Sequence, residues 1–477
     1  MLVSFKFIRF LPIFILTAFS LIGAVDSGNF QVLTNVDEKV VTGDVAWMLT
    51  ATALVLLMTP GLSFFYGGMV SKKNIISTML QSFIAMGVIS ILWVVVGFSL
   101  AFGDSIGGII GNPFTYFMFK NVSGAVEPKL ASTIPLALFA LFQLKFAIIT
   151  PALITGSFAE RVRFSAYLFF ICLFSICIYS PLAHMTWHPD GLLRQMGVLD
   201  FAGGTVVHMS AGFAALAGAM YLGQRKSHRS GESHLPSNIP FVLLGTGMLW
   251  FGWFGFNAGS ALAANNIATH AFLTTNTASA AAMLAWIFYD IARNQKPTAL
   301  GACIGAVVGL VAITPGAGFV SVGASIFIGA SAAVISCIAC SLKGKINLDD
   351  TLDVFPCHGL GGIVGMMLTA VFAKDVGLVF GETQTFVSHC FALVGVGVFT
   401  FLGSYFLYVI TNLFIPLRVV SQDELLGLDV SQHGESVESF EGYEKLVIQK
   451  SFTTDKNKKY SPISSNKSDE KFEDLAN

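Results

Sequence analysis

One spacing occurs twice in this chain. Asp200 stands eight positions before His208, and Asp350 stands eight positions before His358. His208 lies in Thr205-Val206-Val207-His208-Met209-Ser210 and His358 in Phe355-Pro356-Cys357-His358-Gly359, each within an apolar run. A neutral imidazole is the cheapest ionisable group to bury in such a run, and it can both donate and accept a hydrogen bond. Two of them side by side can bond to each other and relay a proton. Ionisable groups inside a hydrophobic segment are expensive, so a mirrored pair points to function rather than packing.

The composition says what must hold those runs. Of 477 residues, 54% are hydrophobic and 12% are charged, about half the charged share of a soluble domain. Mean hydropathy is +0.72. This excludes a soluble globular enzyme, a disordered chain and a nucleic-acid binder. The net charge of −1 leaves no polyelectrolyte patch. The 47 Gly and 44 Phe fit close helix packing in lipid, where small residues let backbones approach. The chain carries no H-E-x-x-H, G-x-S-x-G or P-loop pattern, so an intramembrane enzyme is not expected, nor a cofactor or a metal site. Seven Cys lie in apolar stretches and build no disulfide framework; Cys337 and Cys340 read as buried small residues of a helix.

Charge-free gaps count the spans, since about 20 apolar residues cross a bilayer. Single spans fit 45–71, 74–103, 164–189, 201–224, 354–373 and 383–417, and 130–159 is one more, broken only by Lys145. Two gaps are double: 235–289 breaks at Ala264-Asn265-Asn266, and 297–342 at Thr314-Pro315-Gly316. The expected fold is therefore an all-α integral membrane protein with eleven transmembrane helices. Asp-x7-His opens both the fifth and the tenth span. Because five is odd, this predicts two inverted five-helix repeats plus a final helix, with a site between them near the midplane. Lys6 and Arg9 followed by the apolar run Phe10–Val25 read as a signal peptide over 1–24. Residues 25–43 then form an extracytoplasmic segment, 44–415 the helical domain and 416–477 a cytoplasmic tail, disordered from about 450 and too short for a kinase domain. With the mature N-terminus outside, the cytoplasmic loops hold Lys72, Lys73, Arg161, Arg163, Arg225, Lys226, Arg229, Arg293, Lys296, Lys343 and Lys345. The outer segments hold Lys39, Lys120, Lys129, Arg194 and Lys374, so the balance supports N-out, C-in.

Six ordered motifs resemble the ammonium transporter (Amt/Rh) family. Pro60-Gly61-Leu62-Ser63-Phe64-Phe65-Tyr66-Gly67-Gly68 is similar to its first-helix motif, and Phe142-Gln143 with Phe146-Ala147-Ile148-Ile149-Thr150-Pro151-Ala152-Leu153-Ile154 to its third. Asp200-Phe201-Ala202-Gly203-Gly204-Thr205-Val206-Val207-His208 resembles the family signature. Trp253-Phe254-Gly255-Phe256-Asn257-Ala258-Gly259-Ser260 resembles the sixth helix, and Asp349-Asp350-Thr351-Leu352-Asp353-Val354-Phe355 through His358-Gly359 the tenth. Gly427-Leu428-Asp429-Val430-Ser431-Gln432-His433-Gly434-Glu435 resembles the tail motif.

The resemblance implies an ammonium/ammonia channel or transporter of the cell inner membrane, a homotrimer with one pore per subunit. Methylammonium would serve as a substrate analogue. Phe142, Trp187 and Ser260 match the ammonium recruitment site, Phe146 and Phe256 the phenylalanine gate, and His208 and His358 the twin histidines of the pore. Asp200 matches a buried carboxylate expected to shape the vestibule rather than to bind ammonium. The tail motif implies docking between subunits and block by a cytoplasmic PII-type signal protein. Aromatic faces attract a cation, and a hydroxyl accepts one of its N–H bonds. A bare cation in low dielectric is far costlier than neutral ammonia, so a dry pore rejects potassium by chemistry rather than radius.

Other readings compete at single residues. Phe142 and Phe146 also have ordinary core spacing, and Trp187 fits an interfacial anchor. His184, His188, His270 and His389 read as structural or loop histidines, and Glu160-Arg161 as a solvated turn. Lys145 is a departure from the family pattern. It is placed about 15 residues, or about 20 Å, into the third span, flanking the pore face. It is expected to snorkel toward the vestibule or to sit at a subunit contact. The segment from Trp187 to Asp200 is about one residue longer than the family pattern. The alternative function is an ammonium sensor that binds but conducts little.

Overall fold

The computed structural model describes residues 11–25, 39–231, 235–343 and 345–437. Residues 1–10 and 26–38, with part of the signal-peptide reading, and the tail beyond 437, with its expected disorder, lie outside the described residues. The chain divides at Gly434; beyond it only 435–437 are described, without helix or strand.

The long apolar runs form helices because lipid offers their backbones no other hydrogen-bond partner. Helix α1 is Leu11–Val25. Ten further helices among the described residues are long and apolar enough to cross a membrane. They are α2 (Thr42–Met69), α3 (Lys72–Phe102), α4 (Leu136–Ser157), α5 (Phe164–Gln195), α6 (Gly204–Leu222), α7 (Ile239–Gly259), α8 (Asn266–Ala292), α10 (Val322–Lys343), α11 (Phe355–Phe372) and α12 (Gln384–Phe414). Between α8 and α10 lies the shorter α9, Ala299–Ile313. At about 22 Å it falls short of a bilayer core, but from Cys303 onward it is buried almost throughout. Its first residue, Ala299, is exposed, and protein surrounds the rest. The breaks expected at 264–266 and 314–316 separate α7 from α8 and α9 from α10.

Four spans contain a π-helical turn: Trp93–Gly97, Ser175–Tyr179, Gly204–Met209 and Phe355–Leu360. Such wide turns are rare and gather at functional sites. The last two carry His208 and His358. Helix α2 packs along α7 through Gly61, Gly245, Gly252 and Gly255. Helix α6 packs on α11, where a Cβ at Gly212 would lie 2.2 Å from the Gly359 nitrogen. Only glycine lets the two histidine-bearing segments come this close.

The connection 103–135 covers one end of the bundle with two small antiparallel hairpins, β1 (Ser105–Ile106) with β2 (Ile110–Gly111), and β3 (Val126–Glu127) with β4 (Ala131–Pro135). Strand β4 occupies what the charge-free gap counted as the start of the third span, so Lys145 is the tenth residue of α4, about 14 Å from its start.

The opposite end holds the tail, and here Glu160-Arg161 is buried rather than solvated, at 5% and 0% exposure. Arg225 bridges Glu160 at 2.7 Å and Asp349 at 2.9 Å. Arg161 donates to the Asp349 carbonyl and to Thr351 Oγ1. A buried ion group persists only when its charges are paired and hydrogen-bonded. Burial opposes ionisation of Asp349, yet the hydrogen bonds and charge of Arg225, with the charge of Arg161, hold its carboxyl well below the usual carboxylate range.

Candidate functional site

Helix α4 connects the two ends. Near its start, Gln143 and Phe146 line a cavity of about 390 Å³ with Trp187, Asp200 and Ser260. Near its other end, Gly156 and Ser157 accept backbone hydrogen bonds from Leu352 and Thr351. The two Asp-x7-His units therefore enter the bundle from opposite ends.

In each unit the aspartate caps the turn that carries its histidine. Asp200 Oδ1 accepts from the Gly203 and Gly204 nitrogens at 2.7 Å each, and Oδ2 from the nitrogen and hydroxyl of Thr205. Gly203 takes φ +124°, and a Cβ there would strike Val207 at 2.7 Å. Asp350 Oδ1 and Oδ2 accept from the Val354 and Phe355 nitrogens at 3.1 and 2.8 Å. An anionic cap offsets the positive end of a helix and satisfies its unpaired N–H groups. The backbone thus fixes where each imidazole stands.

The imidazoles meet inside. His208 and His358 Nδ1 atoms lie 3.3 Å apart, so one donates while the other accepts. Both residues are buried, at 1% and 4% exposure. His208 Nε2 is buried without a hydrogen-bond partner. The lumen beside the two rings measures about 10 Å³, room for one water at most, and its other walls are apolar, including Leu62, Ile149, Leu249 and Val307.

Between cavity and lumen stand Phe146 and Phe256, ring centroids 4.2 Å apart. Phe146 carries Trp187 on its cavity side at 5.7 Å. The Trp187 indole is held by a 3.1 Å bond to the Asp200 carbonyl. Ser260 Oγ donates to the Phe256 carbonyl at 2.9 Å, which leaves its lone pairs free to accept.

Phe142 lies elsewhere than the recruitment reading places it. It is fully buried behind Phe146, at 4.9 Å and edge-on, and does not line the cavity. Gln143 lines the cavity instead, and its Oε1 is buried without a hydrogen-bond partner. Its spacing three before Phe146 was the available signal. Trp253, part of the sixth-helix motif, also lines the lumen. It stacks on His208 at 5.4 Å and anchors its indole on Thr314 Oγ1 at 2.9 Å; nothing in its spacing marks it off from packing. Lys145 does not border the cavity but lies half-buried on the outer side of α4. Lys129 and Arg194 do border it, both solvent-exposed.

The other histidines have structural partners. His184 bonds the Ala101 carbonyl and Ser105, His188 accepts from the Asp190 nitrogen, and His270 donates to the Val320 carbonyl. His389 donates to the Met366 carbonyl and accepts from the Leu199 nitrogen, which steadies the segment before Asp200.

The tail motif docks within its own chain. Asp429 accepts from the Ile76 and Ser77 nitrogens, and Leu428 donates to Asn74. Val419 donates to the Arg161 carbonyl, and Arg418 pairs with Glu424 at 2.8 Å.

A cavity walled by Trp187, Gln143 and Ser260, a packed pair of phenylalanines and a small apolar space beside two bonded imidazoles lie inside a bundle of apolar helices, that of a multi-pass membrane protein. A sequence model of the Ammonium Transporter Family matches residues 46–438, and the chain belongs to that family. It is 46% identical over 406 residues to an ammonium transporter of Aquifex aeolicus, covering 84% of this chain and 94% of that one. Among solved structures it is similar to Mep2 of Candida albicans, at 32% identity and a TM-score of 0.79, covering 87% and 93% of the two chains. A structure described as a sensor Amt protein is similar at 28% identity and a TM-score of 0.76, covering 82% and 98%.

Proposed function

We propose that this protein carries ammonium nitrogen across a membrane by drying and deprotonating it. Ammonium is recruited in the 390 Å³ cavity, its charge facing the Trp187 ring and its N–H groups donating to Ser260 Oγ and Gln143 Oε1. Asp200, its oxygens engaged by the backbone, shapes the cavity without binding the ion. The proton passes to water of the open cavity before the Phe146–Phe256 seal, because the charged form cannot enter an apolar lumen. Ammonia then exchanges hydrogen bonds along His208 and His358. Potassium, having no proton to lose, stays behind.

The observation that carries this reading is the pair of imidazoles bonded at 3.3 Å within a lumen of about 10 Å³. On the same reading α9 completes eleven spans in two inverted five-helix repeats and a final helix. The N-terminus lies outside after a signal peptide over 1–24, the tail is cytoplasmic in an inner-membrane homotrimer, and a PII-type signal protein binds the tail face.

The test is an ammonium pulse applied to proteoliposomes of purified protein, with pH and potassium gradients at zero, recording both current and lumenal pH. A saturable response in either, absent at equal potassium, is expected. Silence in both, in folded protein, overturns conduction. It would favour the second reading, an ammonium sensor, which rests on the likeness to the sensor Amt structure.

A further inference from the structure

Lys145 and Asn276 are two strongly polar side chains on the outer surface of the bundle, far from either end. Lys145 is half-buried on α4, on a stripe with Leu141, which is 41% exposed. Asn276 is exposed on α8 between Phe272 and Leu273 on one side and Leu284 on the other. Among the described residues neither side chain has a hydrogen-bond or charge partner.

Their depths agree. Phe139 and Ile267 line the same cavity, so α4 and α8 start at the same end of the bundle. Lys145 lies nine residues on from Leu136, about 14 Å, and Asn276 ten residues on from Asn266, about 15 Å. Half the hydrocarbon core is about 15 Å, and a lysine side chain covers less than half that distance, so snorkelling leaves its ammonium in hydrocarbon. An ammonium and a primary amide facing lipid are both expensive, and side-chain hydrogen bonds between helices relieve that cost.

We infer that Lys145 of one copy donates to the Asn276 amide oxygen of a second copy of this chain. A cyclic assembly in a membrane has its axis along the bilayer normal, and rotation about that axis preserves depth. Two groups can therefore meet across copies only if they are equally deep, which their matching distances along helices that start at the same end allow. The α4 and α8 faces are different surfaces, so the contact is head-to-tail and closes as a ring. The pairing rests on the homotrimer of the proposed function, and it makes Lys145 an assembly residue rather than a pore residue.

The test is a double variant, Lys145→Cys with Asn276→Cys, treated in membranes with a bis-methanethiosulfonate reagent whose reach matches a lysine side chain. A ladder of covalent dimer and trimer is expected, with neither single variant exceeding wild type. As a second reading, Asn276→Asp converts the contact to an ion pair and should raise the dissociation temperature of the oligomer, but not in a Lys145→Met background. No ladder from a double variant that still runs as a trimer by light scattering overturns the pairing and spares the trimer. A monomer in wild-type protein overturns both.

Discussion

Asp200 and Asp350 hold equivalent places, each eight residues before a lumen histidine and each capping a π-turn with its carboxylate, but at opposite ends of the bundle. Asp200 takes four hydrogen bonds from three successive residues and borders an open cavity. Asp350 takes two and is fully buried. Beside it, Lys343 donates to its carbonyl and pairs with Asp353, and Arg161 and Arg225 close over Asp349. Burial pushes the Asp350 carboxyl up from its ordinary value, against the pull of Lys343. At the open end the anion is balanced by N–H groups and one hydroxyl, and the two cations that border the cavity, Lys129 and Arg194, are solvent-exposed and do not pair with it. At the closed end fixed cations do the balancing. One spacing thus borders a cavity at one end and a buried ion group at the other.

The comparison is broken most directly at the histidines. His208→Asp and His358→Asp each put a charge into the lumen and should cut methylammonium uptake about tenfold or more, since a carboxylate there is costly and traps cations. Wild-type uptake and potassium rejection in both variants would remove the twin-histidine route.

The caps should separate next. Asp200→Asn replaces acceptors with an amide donor against N–H groups and should destabilise the protein by about 2–3 kcal/mol. Asp350→Asn loses less, about 1 kcal/mol, because it also relieves a buried charge. Thermal unfolding in detergent measures both, and the reverse order would refute the distinction drawn between the ends.

Acid sharpens it further. Asp349 is held low, so its contribution is present above the ordinary carboxylate value of about 3.9 and is lost as pH falls through its lower folded value. Asp350 is held high, so its ionisation weakens the folded state near neutrality and the cost lifts as pH falls through its raised value. The unfolding temperature should hold or rise slightly on mild acidification, then drop below about pH 4. Asp349→Asn should flatten that drop; an unchanged profile would mean the ion group does not set acid stability. The smallest effect concerns Lys145→Met. It should leave uptake intact or raise it, and complete loss would give the lysine a positive role in transport.

Much of this was legible because lipid imposes simple rules. Each single charge-free gap holds a membrane-long helix, though 130–159 opens with strand β4 and the double gap 297–342 holds one such helix and the shorter α9; the breaks at 264–266 and 314–316 fell where Asn and Pro-Gly interrupt the runs. The histidine pair was legible because the same costly residue recurred at the same offset. What stayed hidden depended on three-dimensional packing. Gln143 and Phe142 are neighbours in an apolar motif, and only the packing of α4 shows which one meets the cavity. Glu160-Arg161 reads as a surface turn, since its partners Asp349 and Arg225 lie far away in sequence. Strand β4 hid inside the gap because Ala-Ser-Thr-Ile-Pro carries no charge, and a count of charge-free runs cannot tell a short strand from a helix start.

The narrowness of the lumen has a consequence for the cell. A proton hops through water only along an unbroken file of molecules, and a space of about 10 Å³ holds one at most. A membrane crowded with this protein would therefore gain no water-filled leak along this lumen.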